Sequence, residues 1–263
     1  MARTLNDDAV ARAAEALAEA QRSRTLIDRL PPDIRPMNAD DGKAVAEAVI
    51  ARLGWPVVGW KIGYAAEGER RDMDHVPVPG RLLEGALLDS PASVPMTGIN
   101  HPLIEAEIAL VLGADLPPRA APYTVDEARA AVASAHVAIE VADPRYVDFN
   151  EPDNPEFMAD NACSRFVVVG PEIPGWRDGP LAAIEVEMRL DGELVSEGRT
   201  GDDRCDGFWS LAWLINDVGP RGYGLKAGEV FSSGAVAKVV PLDDAREVVV
   251  RFNGAEARLT FTG

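Results

Sequence analysis

Hydrophobic positions follow two regimes along the chain. Up to about residue 56 they recur at helical spacing. Beyond it they come mostly in short runs separated by turn residues. Asp7 or Asp8 is a candidate cap for an Ala-rich helix over residues 9–30, with Leu17, Leu26 and Leu30 apolar and Pro31-Pro32 as its end. Residues 40–53 predict a second helix, carrying Val45, Ala46, Val49 and Ile50 and stopping at Gly54. Residues 57–64 read as a strand ending in a turn. Residues 104–113 read as another, too short and too rich in Ile, Leu and Val for a surface helix. Thr124-x-x-Glu127 matches a capping box that opens a helix to about residue 134. Residues 135–143 and 165–170 have strand character. Asp191-Gly192 and Asn253-Gly254 are hairpin turns between alternating segments. Residues 208–218 predict a helix through Leu211, Trp213, Leu214 and Ile215, stopped by Gly219-Pro220. The polar stretches 65–82 and 150–157 read as loops, the first of a size that serves as a lid. The pattern divides the chain into a helical lead-in, residues 1–56, and a mostly β unit, residues 57–263, the two expected to pack as one body.

Composition narrows the function classes. The 263 residues carry a formal net charge of −17, which argues against nucleic acid and anionic membrane as partners. An anionic substrate must therefore be drawn in by a metal or by a placed Lys or Arg. The only cysteines are Cys163 and Cys205, too few for a thiolate zinc site or a disulfide framework. No long apolar run opens the chain, and a cytoplasmic location is expected. No Walker A loop, dinucleotide fingerprint or internal repeat occurs.

The candidate chemistry lies in the apolar strands. Glu105 and Glu107 are two residues apart, so on a strand they share a face. Two like charges buried together need a proton, a base or a cation. Taken alone, such a pair is more often a solvated edge or two salt bridges. Glu140 is a third acid in an apolar run, and Lys61 a lysine between Val57-Val58 and Ile62. Lys61 either snorkels to the surface or faces a site that wants an ammonium or a base. Three carboxylates without cysteine suit Mg²⁺ or Mn²⁺. Positions left open on such an ion fit the carboxylate and adjacent oxygen of a 2-oxo acid. His136, His101 and His75 read as packed, turn and loop histidines, and Cys163 as a small buried residue.

Gly59-Trp60-Lys61-Ile62-Gly63, Ile104-Glu105-Ala106-Glu107-Ile108, Ile139-Glu140-Val141-Ala142-Asp143-Pro144-Arg145 and Ala159-Asp160-Asn161-Ala162 occur in this order. The ordered set resembles the fumarylacetoacetate hydrolase superfamily, most of all its 2-keto-4-pentenoate hydratase and 4-oxalocrotonate decarboxylase branch. The Leu225 to Glu229 stretch and Ser233-Gly234 add to the likeness. The resemblance implies an α+β fold, a mixed β-sandwich roll with flanking helices and an N-terminal helical cap. It implies Mg²⁺ or Mn²⁺ on Glu105, Glu107 and Glu140, with Lys61, Asp160 and Ser164 as catalytic candidates. Asn161, Ser233, Arg145 and His75 are the substrate-binding candidates; for Arg145 a structural salt bridge is the favoured role. The activity implied is hydration of a 2-hydroxydienoate through a metal-chelated enolate, in a homo-oligomer. Decarboxylation of a 2-oxo acid, C–C hydrolysis of an acylpyruvate and a silent 2-oxo-acid binder are the alternatives. One departure bears on the chemistry: hydratases of the branch carry an acid in a Pro-Asp-aromatic-Gly turn, and Pro77-Val78-Pro79-Gly80 has Val78 there.

Overall fold

The computed structural model describes residues 2–72 and 76–263. The lead-in forms α1 (Asp7–Ser23) and α2 (Ala39–Leu53), followed by β1 (Val57–Gly63), α3 (Glu67–Asp72), β2 (Val78–Leu83), β3 (Leu87–Asp89) and β4 (Ala92–Pro95). The middle of the chain is β5 (Leu103–Leu112), α4 (Val125–Ala130), β6 (Val132–Ala142), α5 (Asn154–Ala159) and β7 (Ser164–Glu172). The rest is β8 (Val186–Leu190), β9 (Glu193–Glu197), α6 (Gly207–Val218), β10 (Val230–Ala235), β11 (Val240–Pro241), β12 (Glu247–Phe252) and β13 (Ala255–Thr262).

The strands make two sheets. An eight-stranded sheet runs β2-β1-β10-β5-β6-β7-β3, with β11 also on β5, and a five-stranded sheet runs β4-β13-β12-β8-β9. Alternation along β5 and β6 puts Ile104, Ala106, Ile108, Val137, Ile139 and Val141 on one face. There they share a core with Met188, Val248, Val250, Phe252, Leu259 and Phe261 of the second sheet. The opposite face of the large sheet has its own apolar patch at Leu82, Ala109, Ala138, Val167 and Val230. The acids sit beyond one end of that patch. Both hairpin turns have the double positive φ of a type I′ turn: 47° and 88° at Asp191-Gly192, 47° and 84° at Asn253-Gly254.

The first lead-in helix is shorter than the pattern predicts and is capped differently, while α2 stops at Gly54 as expected. Asn6, not Asp7 or Asp8, caps α1: its side chain accepts from the Ala9 amide, leaving both aspartates in the first turn near the positive helix end. Arg24, at φ 56°, ends α1 six residues short of Leu30. The lead-in packs through Leu17, Leu30, Val45 and Val49 onto Leu83, Tyr146 and Ala159 of the β unit. Glu156 of α5, fully buried, ties them further by accepting from Arg29 at 2.6 and 2.9 Å.

Two stretches expected as loops contain regular elements among their described residues. Residues 65–82 contain α3 and most of β2, every residue of which is buried. Residues 150–157 contain the start of α5, opened by a capping box of Asp153 and Glu156. The helix expected to run to residue 134 ends at Ala130, where β6 takes over. Among the described residues no helix is long and apolar enough to cross a membrane.

Candidate metal centre

Strand register, more than local sequence, assembles the site. β5 and β6 are antiparallel with Glu105 opposite Glu140 and Glu107 opposite Ala138. β10 lies antiparallel on β5, pairing Ser232 with Ala109 and Ala235 with Glu107. β1 lies parallel to β10, pairing Lys61 with Ser232. Period-two alternation then sends Lys61, Ser232, Glu105, Glu107 and Glu140 to one face of four adjacent strands. Gly80 pairs with Lys61 from β2, and a Cβ there would lie 3.0 Å from Lys61 Cγ and 2.7 Å from the Asn161 carbonyl. Only glycine lets the lysine stem and the 160–163 turn approach so closely.

One ligand oxygen from each of Glu105, Glu107 and Glu140 lies within 4.8 Å of the others. Glu107 and Glu140 are fully buried and Lys61 is 3% exposed, which removes the snorkelling alternative for the lysine. Lys61 Nζ ion-pairs with Glu140 Oε1 and donates to the Ala162 carbonyl at 3.0 Å. Glu107 Oε2 accepts from Ser232 Oγ at 2.5 Å and from the Gly234 amide at 3.1 Å. Glu107 Oε1 and Glu140 Oε2 are buried without a hydrogen-bond partner. Fully ionised, the three carboxylates and the ammonium would leave a charge of −2 around largely buried oxygens. A divalent cation matches that charge and both orphaned oxygens, and an all-oxygen donor set suits a hard ion.

The electrostatics agree. Burial, then Glu140, pushes Glu105 up to about 7. Burial, then Glu140 and Glu105, pushes Glu107 well above the carboxylate range. Burial works to lower Lys61, but Glu140, Glu105 and Glu107 outweigh it and raise the ammonium. Lys61 therefore rests as a cation, not as a free base. Cys163 and Cys205 are held as neutral thiols, pushed up chiefly by burial.

Glu105 and Lys61 open the cluster onto a cavity of about 460 Å³ in which they, Tyr64 and Glu69 meet the apolar side chains of Val78, Leu103, Phe149 and Phe157. Val78 is 1% exposed and lies on the cavity wall, so the departure from the branch's acid puts hydrocarbon against the site.

Other predicted residues lie elsewhere. Asp160 sits behind the 160–163 turn, its Oδ2 accepting from the Arg145 amide at 3.1 Å; burial pushes it up to about 6 against the pull of Arg145. Arg145 donates to the Ser164 carbonyl at 2.5 Å, and lies 3.5 Å from Asp160 Oδ1. Asn161 spends its amide on the Arg81 backbone, accepting at 2.7 Å and donating at 3.0 Å. Ser164, Asn161 and Arg145 line a different cavity. Ser233 points to the far face of β10, where a Cβ on Gly207 would lie 3.1 Å from its hydroxyl; the hydroxyl that meets the carboxylates is that of Ser232. His75 lies outside the described residues. His136 Nδ1 and Nε2 bridge Gly170 O and Ser134 Oγ at 2.9 and 2.8 Å, away from the acids. Tyr64, Glu69 and Ser232 were not singled out by the sequence. Tyr64 carries a positive φ of 53° just after Gly63, and Glu69 stands 3.4 Å from Arg199.

Residues 71–260 match the family model for the fumarylacetoacetate (FAA) hydrolase C-terminal region. A 2-keto-4-pentenoate hydratase of Burkholderia vietnamiensis is 30% identical over 98% of this chain and 99% of its own length. A 4-oxalocrotonate decarboxylase of Pseudomonas putida is 28% identical over 97% of both chains. The solved 4-oxalocrotonate decarboxylase from Pseudomonas putida G7, complexed with magnesium and adipate, superposes with a TM-score of 0.87. It is 26% identical, and the match covers 99% of this chain and 100% of that one. The chain belongs to the fumarylacetoacetate hydrolase family, in the branch of 2-keto-4-pentenoate hydratases and 4-oxalocrotonate decarboxylases.

Proposed function

We propose that the chain is a divalent-metal-dependent lyase that adds water to a small 2-hydroxydienoate or 2-oxo-4-enoate, of which 2-keto-4-pentenoate is the type. The observation that carries it is the Glu105, Glu107 and Glu140 cluster, two charges short of neutrality beside Lys61. Magnesium or manganese is the ion assigned to the cluster; the related decarboxylase has been solved with magnesium and also with calcium. When bound, the ion supplies positive charge to the substrate's carboxylate and C2 oxygen. Ser232 and the Gly234 amide hold Glu107 in one orientation. Leu103, Phe149, Phe157 and Val78 enclose the substrate's carbon chain and keep bulk water from it. Lys61, fixed by Ala162 O, is the proton donor or anion holder beside the reacting carbons. Asp160, Arg145, Asn161 and Ser164 support the turn that presents Ala162 O. Their catalytic or substrate-binding roles are thereby recast as positioning roles. We further infer a cytoplasmic homo-oligomer; Met37, Trp55 and Val147 are large apolar side chains left exposed on one protomer.

Val78 favours a second outcome at the same site, decarboxylation of 4-oxalocrotonate. Loss of CO₂ delivers electrons to the same C2 oxygen without needing an acid at position 78 to handle water. Purified protein with Mg²⁺ or Mn²⁺ decides between them. Hydration is read as loss of the dienol ultraviolet band of 2-hydroxypentadienoate, decarboxylation as CO₂ released from 4-oxalocrotonate. Turnover of neither substrate, nor of an acylpyruvate, sinks the enzyme reading.

Metal and pH should act together. Glu105 is raised from 4.5 to about 7 without an ion, so in the metal-free protein its burial costs stability as pH rises through that window. Below about 4.5 the residue is protonated in both folded and unfolded chains and the cost vanishes. Metal offsets the cost only where the carboxylates are ionised. The expected result is tight binding at pH 8, weakening as pH falls below about 7, with proton release on binding. At 100 times its Kd the ion should stabilise by about 2.7 kcal/mol, raising Tm by roughly 5–10 °C. A metal-induced Tm shift that is the same at pH 5.5 and pH 8 contradicts the assignment.

A further inference from the structure

A second cavity, of about 420 Å³, meets the 160–163 turn at Asn161 and is lined by five arginines and one acid, Glu84. In a chain with 43 acidic and 26 basic side chains, an arginine near the surface ordinarily finds a carboxylate. Arg24 and Arg165 do not. Among the described residues neither has a carboxylate within ion-pair distance, and Arg165 Nε is buried with no hydrogen-bond partner. Arg145, also on the lining, directs its fork at the Ser164 and Asp160 carbonyls and at Asp160 Oδ1, so its charge is answered by that acid and it is not free to take up the anion of Arg24 or Arg165. Burial, then Arg145 and Arg24, lowers Arg165. Asp143 offsets part of this, but Arg24 and Arg165 still repel one another. The opposite wall is apolar: Trp55, Leu83 and Phe166 face the same space, and the Arg165 guanidinium lies 5.0 Å from the Phe166 ring centroid.

We propose that this cavity binds a small organic carboxylate, its anionic head held by Arg24 and Arg165 and its apolar body against Trp55, Leu83 and Phe166. Two guanidiniums lining one space, neither with a carboxylate partner, call for an anion. Hydrocarbon beside them selects an acid with an apolar body over a bare inorganic anion. The site is distinct from the Glu105, Glu107 and Glu140 cluster and needs no metal.

Calorimetric titration of the metal-free protein with benzoate, and separately with inorganic phosphate, tests this. Saturable benzoate binding, tighter than phosphate, is expected, and it should survive in Glu107→Gln. Arg24→Gln with Arg165→Gln should weaken it by about tenfold or more, corresponding to the loss of charge-assisted hydrogen bonds. Arg24 is exposed, so Arg24→Gln alone serves if the double variant does not fold. The proposal is overturned if benzoate shows no saturable binding at about 20 mM, well above the weakest Kd expected of such a contact. It is equally overturned if the arginine variants bind as the parent does, if phosphate binds as tightly as benzoate, or if binding disappears in Glu107→Gln. An oligomer that dissociates on Arg24→Gln with Arg165→Gln assigns the arginines to acids of a second copy and also overturns it.

Discussion

Glu107→Gln is expected to abolish metal binding and turnover while leaving the metal-free fold intact or firmer. Glutamine keeps the length and keeps an oxygen that accepts from Ser232 Oγ and the Gly234 amide. What it removes is one negative charge of three. With Lys61 in place the site falls from −2 to −1, and Oε1, the oxygen without a partner, becomes an amide nitrogen that repels a cation. A weakening of at least about 100-fold is expected, beyond the range usually seen for loss of a supporting group around a metal. Turnover should fall with metal occupancy. Stability moves the other way. Burial, Glu140 and Glu105 push Glu107 well up, so the metal-free parent carries an electrostatic cost that the neutral amide relieves. The metal-free variant should therefore melt at or above the parent's Tm, and Mn²⁺ should no longer raise it. Calorimetry with Mn²⁺ and thermal melts with and without the ion check both halves. A variant that binds Mn²⁺ as tightly as the parent would remove Glu107 from the metal shell.

The parts of this site visible in the sequence are those where a charge interrupts an apolar run. Glu105 and Glu107 are two apart on an apolar strand, and period two alone puts them on one face. Glu140 and Lys61 stand out for the same reason, since a buried strand tolerates a charge only where another charge answers it. Parity is the point at which sequence stops. Ser232 and Ser233 are chemically equal neighbours, and only the register of β10 on β5 and β1 decides which one meets Glu107. β2 was obscured by Pro77, Pro79 and Gly80, residues that signal a turn; there Gly80 is needed for close approach to Lys61 and the Asn161 carbonyl, within a strand. α5 is six residues long, too short for a helical period to show above its Pro and Asn content. The hairpins and α6 were legible because their signals are local: a turn pair with two positive φ values in each hairpin, and one apolar stripe in α6. The arginine-lined cavity was invisible because Arg24, Arg145 and Arg165 come from a helix end, a loop and a strand. Nothing in their spacing brings them together.

Lys61→Ala is expected to separate stability from catalysis at the same cluster. The lysine ion-pairs with Glu140, and both are buried. Removing it strands a carboxylate whose Oε2 already lacks a partner, the situation that costs about 3–5 kcal/mol when one member of a buried pair is deleted. The metal-free variant should thus melt well below the parent. A divalent ion supplies the missing positive charge. With the site at −3 instead of −2, Mg²⁺ or Mn²⁺ should bind at least as tightly as in the parent and raise Tm by more than it does there. Turnover should not recover. The ammonium is the proton carrier or anion holder proposed for the reaction, and losing such a group costs roughly 10²- to 10⁴-fold in rate. The measurements are Tm with and without metal, metal affinity, and kcat at saturating metal. Lys61→Met, which refills the space against Gly80 without a charge, should restore packing but not rate. Full activity in either variant confines Lys61 to charge balance, and a metal-free melting point unchanged from the parent would show that Glu140 does not depend on it.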